Sequence, residues 1–273
     1  MTKVEEYREA LARLLDAYLA MAQEKPLVDY LTANSNLPGP RGNLELAQAF
    51  ADAVGERAER SGNALWDLCL RFAQISAEQA PVNAATEFLP FCGARGLAAL
   101  GAALPALFES ALERLHVQSR DARWRTREGV AMGLQDLMAS NAAAALRALG
   151  TWIQPADWLA MRAAAAGVAE PRLLHAAAVA AAALELHRRI IAAVLAASDR
   201  KSAEFKALRQ GLGYSLSVVV VAAPQQGFAY LAELAASPDE DAQWILRENL
   251  KKNRLAKPYS RQVLALQRKI RRG

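Results

Sequence analysis

An eight-residue pattern constrains this chain more than any other feature. Asp121-Ala122-Arg123-Trp124-Arg125-Thr126-Arg127-Glu128 recurs 120 residues later as Asp241-Ala242-Gln243-Trp244-Ile245-Leu246-Arg247-Glu248. Asp, Ala, Trp, Arg and Glu keep their places in both copies. A related segment, Asp157-Trp158-Leu159-Ala160-Met161-Arg162, lies between them, one residue out of register. Internal self-similarity of this kind marks a fold built from one repeated supersecondary unit. Aligning the aromatic position gives Phe91, Trp124, Trp158, Phe205 and Trp244, separated by 33, 34, 47 and 39 residues. That spacing suits a pair of helices per repeat.

The rest of the chain agrees with helix. Ala, Leu, Arg and Glu dominate, and β-branched residues cluster only at Val218-Val219-Val220-Val221. No partner strand is apparent for the valines, so helix is the expectation there too, tertiary context overriding propensity. Leu11, Leu14, Leu15, Tyr18 and Leu19 follow helical spacing in a first helix over 4–23. Turn residues crowd Asn34 to Asn43, around Leu37-Pro38-Gly39-Pro40, and Asn43 is placed to cap a helix over 44–59. A second helix start is expected at Ser61-Gly62-Asn63, a helix over 97–102 after the Pro81–Gly93 break, and a long alanine-rich helix ending at Ala197. Ser237-Pro238-Asp239-Glu240 reads as a helix start capped by Ser237. The expected architecture is an all-α, right-handed superhelical solenoid of roughly five to seven helix pairs. Residues 1–60 would supply N-terminal helices and the Pro-Gly loop, 61–246 the repeats, and 247–273 a basic capping segment. That last segment places Val263, Leu266 and Ile270 on one helical face.

Within the motif, Asp and Trp stand three apart, as do Trp and Arg, and so share a helix face. Recurrence points to a stacking joint, since a catalytic site is needed once and a joint at every repeat. Asp121 with Arg127 and Asp241 with Arg247 resemble the Asp and Arg pair of HEAT repeats, armadillo-type α-solenoids in which such residues form a ladder between successive repeats. On that resemblance Asp121, Trp124, Arg127, Asp241, Trp244 and Arg247 would be structural. The segments 37–46, 124–134 and 249–255 are similar to a group of bacterial HEAT-repeat proteins. A more distant likeness is to the HEAT-like alkylpurine DNA glycosylases, which hold DNA in a basic, Trp-lined groove and use an Asp. It implies Asp157, Trp158 and Arg162 as candidates for chemistry, where the copies differ.

Charge narrows the partners. Ten Lys and Arg side chains against Glu248 alone fall within 247–273, leaving 23 of the 33 basic and 27 of the 28 acidic side chains on residues 1–246. A slightly acidic body with a basic end is an argument about partners. Arg123, Arg125, Arg188, Arg189, Lys251, Lys252 and Arg254 are the expected contacts for nucleic acid. Pro-Gly loop residues before a helix start offer backbone N–H groups to an anion, but no phosphate-loop Lys-Ser/Thr follows, so a rigid connection is the plainer reading. His116, His175 and His187 have no ligand spacing, no metal or cofactor is expected, and no nucleophile elbow is present. Cys69 and Cys92 are isolated, which fits a reducing, cytoplasmic setting. The alanine-rich stretch carries Glu185, His187, Arg188 and Arg189, charges that a membrane span would exclude. The resulting expectation is a non-enzymatic scaffold whose concave helical surface binds protein or nucleic acid, the alternative being a DNA-repair protein of the glycosylase type.

Overall fold

In a computed structural model that describes residues 2–270, the chain is all-helical, with fifteen α-helices and no strand among the described residues. It divides into two compact units, one ending at Asn141 and the next starting at Ala142. Arg271 and Arg272, the last cations of the basic segment, lie outside the described residues. No helix among the described residues is long and apolar enough to cross a membrane.

The first unit holds α1 (Lys3–Met21), α2 (Lys25–Ala33), α3 (Leu44–Gly55), α4 (Ala58–Ala73), α5 (Phe88–Ala103), α6 (Phe108–Gln118) and α7 (Trp124–Ser140). Alternate helices stack, α1 on α3, α3 on α5 and α5 on α7, while α4 and α6 pack beside α5. α5 is the centre: nearly every residue from Phe88 to Gly101 is buried. It runs longer than the expected 97–102 because Pro90 falls in its first turn, where a missing N–H costs nothing. Gly93 lets α4 approach, since a Cβ there would come within 2.4 Å of the Ala73 nitrogen. The one charge in α5, Arg95, is 1% exposed. It is answered by Asp136 of α7 at 2.8 Å and by Gln48 of α3 at 2.5 Å, the partners that make burying a guanidinium tolerable.

Local signals explain the ends. Asn43 caps α3, its side chain accepting from the Leu46 N–H at 3.0 Å. Ser61, expected to open a helix, is instead a kink inside α4, with φ −144°.

The second unit holds α8 (Ala142–Thr151), α9 (Trp158–Val168), α10 (Ala177–Leu195), α11 (Ala203–Ala222), α12 (Pro224–Ala236), α13 (Glu240–Leu250), α14 (Asn253–Ala256) and α15 (Ser260–Ile270). Again alternate helices stack: α9 on α11, α11 on α13, and α8 on α10. The valines complete α11, with Val218, Val219 and Val220 buried. Asp239, not Ser237, caps α13, accepting from the Asp241 and Ala242 N–H groups at 2.9 and 3.1 Å, while Ser237 ends α12. α15 lays Val263 and Leu266 inward and packs on α12.

In both units the polar ties between helices reach similar distances along the chain. Arg57–Asp16, Arg95–Gln48, Arg123 to the Ile75 carbonyl, Arg188–Glu233 and Arg200–Asp239 span 39 to 48 residues.

Candidate functional site

The two copies of the motif sit differently on their helices. Asp121 precedes α7, and its carboxylate accepts from the Arg123 N–H at 2.7 Å and from the Arg123 guanidinium at 2.9 and 2.6 Å. Arg123 is 2% exposed and donates onward to the carbonyls of Ile75, Ser76 and Ala80. Arg127 donates to the main-chain oxygens of Asp121 and Ala122 at 2.6 and 2.9 Å. In the second copy Asp241 lies inside α13. It pairs with Arg200 at 3.0 Å and Arg209 at 2.6 Å. Arg209 also stacks on the Trp244 ring, 4.1 Å from its centre, while Arg247 is exposed. Both aspartates therefore bind arginines, Asp121 holding Arg123 and Asp241 holding Arg200 and Arg209.

Trp124 departs from the buried joint expected of it. It is 42% exposed and forms one wall of a cavity of about 290 Å³ in the first unit. The opposite rim is the Pro-Gly loop, through Pro40, Arg41 and Gly42, and the inner walls are Leu44, Phe88, Phe91 and Met132. Two stretches conspicuous in the sequence thus meet. Arg125 ties them, donating to the Gly39 carbonyl at 2.6 Å and to Glu87 at 2.8 Å while its guanidinium lies over Trp124 at 4.6 Å. Glu87 is fully buried and also accepts from the Asn83 N–H at 2.6 Å, and Asn83 in turn accepts from the Gly39 N–H at 2.9 Å. Glu87 had no signal in the sequence, because a lone Glu after a turn looks like a solvated one.

The second unit carries the basic surface. Tyr214 is 50% exposed, and Arg254 and Lys252 lie against its ring at 4.6 and 5.5 Å, with Arg254 donating to its hydroxyl. Lys252 and Arg254 also border a cleft of about 650 Å³ with His175, Val218 and Val221. Lys252 and Arg254 are half-buried, while Lys257 at the end of α14 and Arg261, Arg268 and Lys269 on α15 are exposed. Lys251 is engaged with Glu248.

The remaining expected contacts have partners within their own units. Arg123 and Arg125 are 2% and 6% exposed and turned inward. Arg188 pairs with Glu233 at 3.0 Å and stacks on Tyr230 at 4.5 Å, and Arg189 donates to the Gly150 carbonyl at 2.9 Å. Asp157 caps α9 through the Ala160 N–H. Trp158 meets Phe205 edge-on at 5.3 Å and borders a cleft of about 770 Å³ whose charged residues, Asp199 and Glu204, are acidic. Arg162 lies partly buried on α9, its side chain close to Gly211 of α11.

Titratable groups suited to chemistry are few. Burial raises the Cys69 and Cys92 thiols well above the ordinary range. His187, enclosed between α10 and α11, is held down to about 4 by burial, its ring nitrogens bonded to the Ala183 carbonyl and the Ser215 hydroxyl at 2.9 Å each. No group of three or more His, Cys, Asp or Glu side chains suited to a metal occurs among the described residues. Set against known proteins, the chain matches no family model, no curated protein and no solved structure.

Proposed function

We propose that this protein is a non-enzymatic binding scaffold of the HEAT-like α-solenoid type and that its partner is nucleic acid. The solenoid reading is supported by the stacking of alternate helices within each unit and by polar ties that recur at 39 to 48 residues, close to the period of about 40 residues typical of such repeats. One observation carries the choice of partner. The segment from Lys252 to Lys269 holds six cations and no acidic side chain, and two of them, Lys252 and Arg254, lie against the ring of the exposed Tyr214. Phosphates neutralised by such cations release condensed counterions, the main source of affinity for a polyanion. A protein partner would more often meet an apolar centre with charge at the rim. Nothing specific favours base excision, since Asp157 serves as a helix cap and Trp158 packs on Phe205.

Titration of a fluorescently labelled oligonucleotide at low and at physiological salt tests the proposal. Binding should weaken steeply with salt and be clearly weaker, with a shallower salt dependence, in the Lys252→Glu/Arg254→Glu variant. Absence of binding at low salt, or undiminished binding by the variant, overturns it.

A further inference from the structure

The cavity beside Trp124 is separate from the basic surface and is not needed for the scaffold reading. Phe88, Phe91, Trp124, Leu44 and Met132 give it apolar walls, and two acids and two arginines, Glu87 and Glu128 with Arg41 and Arg125, border it in balanced charge. At its base the Glu87–Arg125 ion pair is incomplete. Glu87 Oε2 accepts from the Asn83 N–H and from Arg125 Nη1, and Oε1 is buried with no partner. Arg125 donates through both terminal nitrogens while its Nε is buried with no acceptor. A buried acceptor and a buried donor on adjoining side chains, both shut off from water, are costly to leave unmade. Both residues border the same cavity.

We propose that this cavity is a binding site for a planar lactam heterocycle of nucleobase size. The ring would lie against Trp124 and Phe88. Its N–H would donate to Glu87 Oε1 and its neighbouring carbonyl would accept from Arg125 Nε, once ligand binding turns these two side chains so that the sealed atoms face the cavity. A volume of about 290 Å³, at the lower end for small-molecule pockets, suits one ring system and excludes large ligands. Purely apolar rings would fill the walls but leave both polar atoms unanswered. A free carboxylic acid would set a second anion beside Glu87. A lactam edge answers the acceptor and the donor together without adding charge.

Calorimetric titration with uracil and hypoxanthine tests the site, with 1,3-dimethyluracil and indole as controls. Dimethyluracil keeps the carbonyls and removes the N–H, and indole offers a ring without the lactam. Uracil or hypoxanthine should bind saturably, with dimethyluracil and Glu87→Gln each weakening binding by roughly tenfold or more, the scale of one hydrogen bond to a charged group. Trp124→Ala removes an exposed wall and should abolish binding without unfolding the unit. Should Glu87→Gln fail to fold, the dimethyluracil and Trp124→Ala arms decide. No binding of either lactam, equal affinity for dimethyluracil or indole, or wild-type affinity in Trp124→Ala overturns the proposal. Oligonucleotide binding by the Lys252 and Arg254 surface is read in a different titration, so failure of one proposal does not touch the other.

Discussion

At the scale of single residues, matching positions in the two motif copies perform different tasks. The residue after the motif's Glu is Gly129 in the first copy and Asn249 in the second. At Gly129 helix α7 runs so close to α5 that a Cβ would lie 3.0 Å from the Phe91 carbonyl oxygen. At Asn249 the gap to α11 is filled by a fully buried amide. It accepts from the Ser217 N–H at 2.7 Å and donates to the Leu212 and Ile245 carbonyls at 2.9 and 2.7 Å. Removing that amide deletes three buried hydrogen bonds to main-chain groups, each contributing about 0.5–1.5 kcal/mol. Asn249→Ala should therefore destabilise the protein by about 2–4 kcal/mol in urea denaturation. Asn249→Asp should be at least as harmful, because it turns an oxygen toward the two carbonyls that now accept hydrogen bonds from the amide. If Asn249→Asp is neutral, the amide does not bridge α13 and α11.

At the scale of elements, periodicity locates helices well because each buries one stripe, and the Val218–Val221 run is helical because α11 is enclosed along that face. Ends are harder to read: Pro90 looks like a break yet sits in the first turn of α5, and Ser237 looks like a cap yet Asp239 does the capping. Buried polar side chains are hardest of all. Arg95, Arg123 and Arg125 look like surface cations until partners some forty residues away are known, such as Gln48 for Arg95 and Glu87 for Arg125. The same holds for His187, whose place between α10 and α11 has a consequence for pH. Its folded-state value of about 4 lies below the ordinary 6.5, so between those values the unfolded chain binds a proton that the folded chain does not. Stability therefore rises with pH across this window and is lost as pH falls from 6.5 towards 4. The full effect is about 3 kcal/mol. Carboxylates held low, such as Asp239 beside Arg200 and Asp16 beside Arg57, lose their contribution further down in pH, so the two effects separate. His187→Gln keeps a hydrogen-bonding group near Ser215 without the titration, and its urea midpoint should be nearly flat between pH 6.5 and 4.5. An unchanged slope in the variant would assign the acid sensitivity elsewhere.

At the scale of the whole molecule, formal charge conceals its own distribution. The net value of +5 combines a slightly acidic stretch to residue 246 with a strongly basic end. The cations differ further in what they are free to do. Arg123, Arg125, Arg188 and Arg189 have partners within their own units, and Lys251 has Glu248. An inventory of all Lys and Arg would therefore overstate the contacts open to a polyanion. Within the basic segment 252–269, Lys252, Arg254, Lys257, Arg261, Arg268 and Lys269 form no ion pair with an acidic side chain among the described residues. If these six neutralise phosphates, the logarithm of the binding constant should fall against the logarithm of salt concentration with a slope of about −4 for single strands and about −5 for duplex. Lys252→Glu/Arg254→Glu should flatten the slope by about 1.4 or more on single strands, since two neutralised phosphates are lost. Arg188→Gln should leave it unchanged, because that side chain is committed to Glu233. A slope near −10 would mean that arginines now inside the units also reach the strand, and a slope near zero would mean that binding, where seen, is not electrostatic. The number of free cations, rather than the net charge, is what such a titration reads.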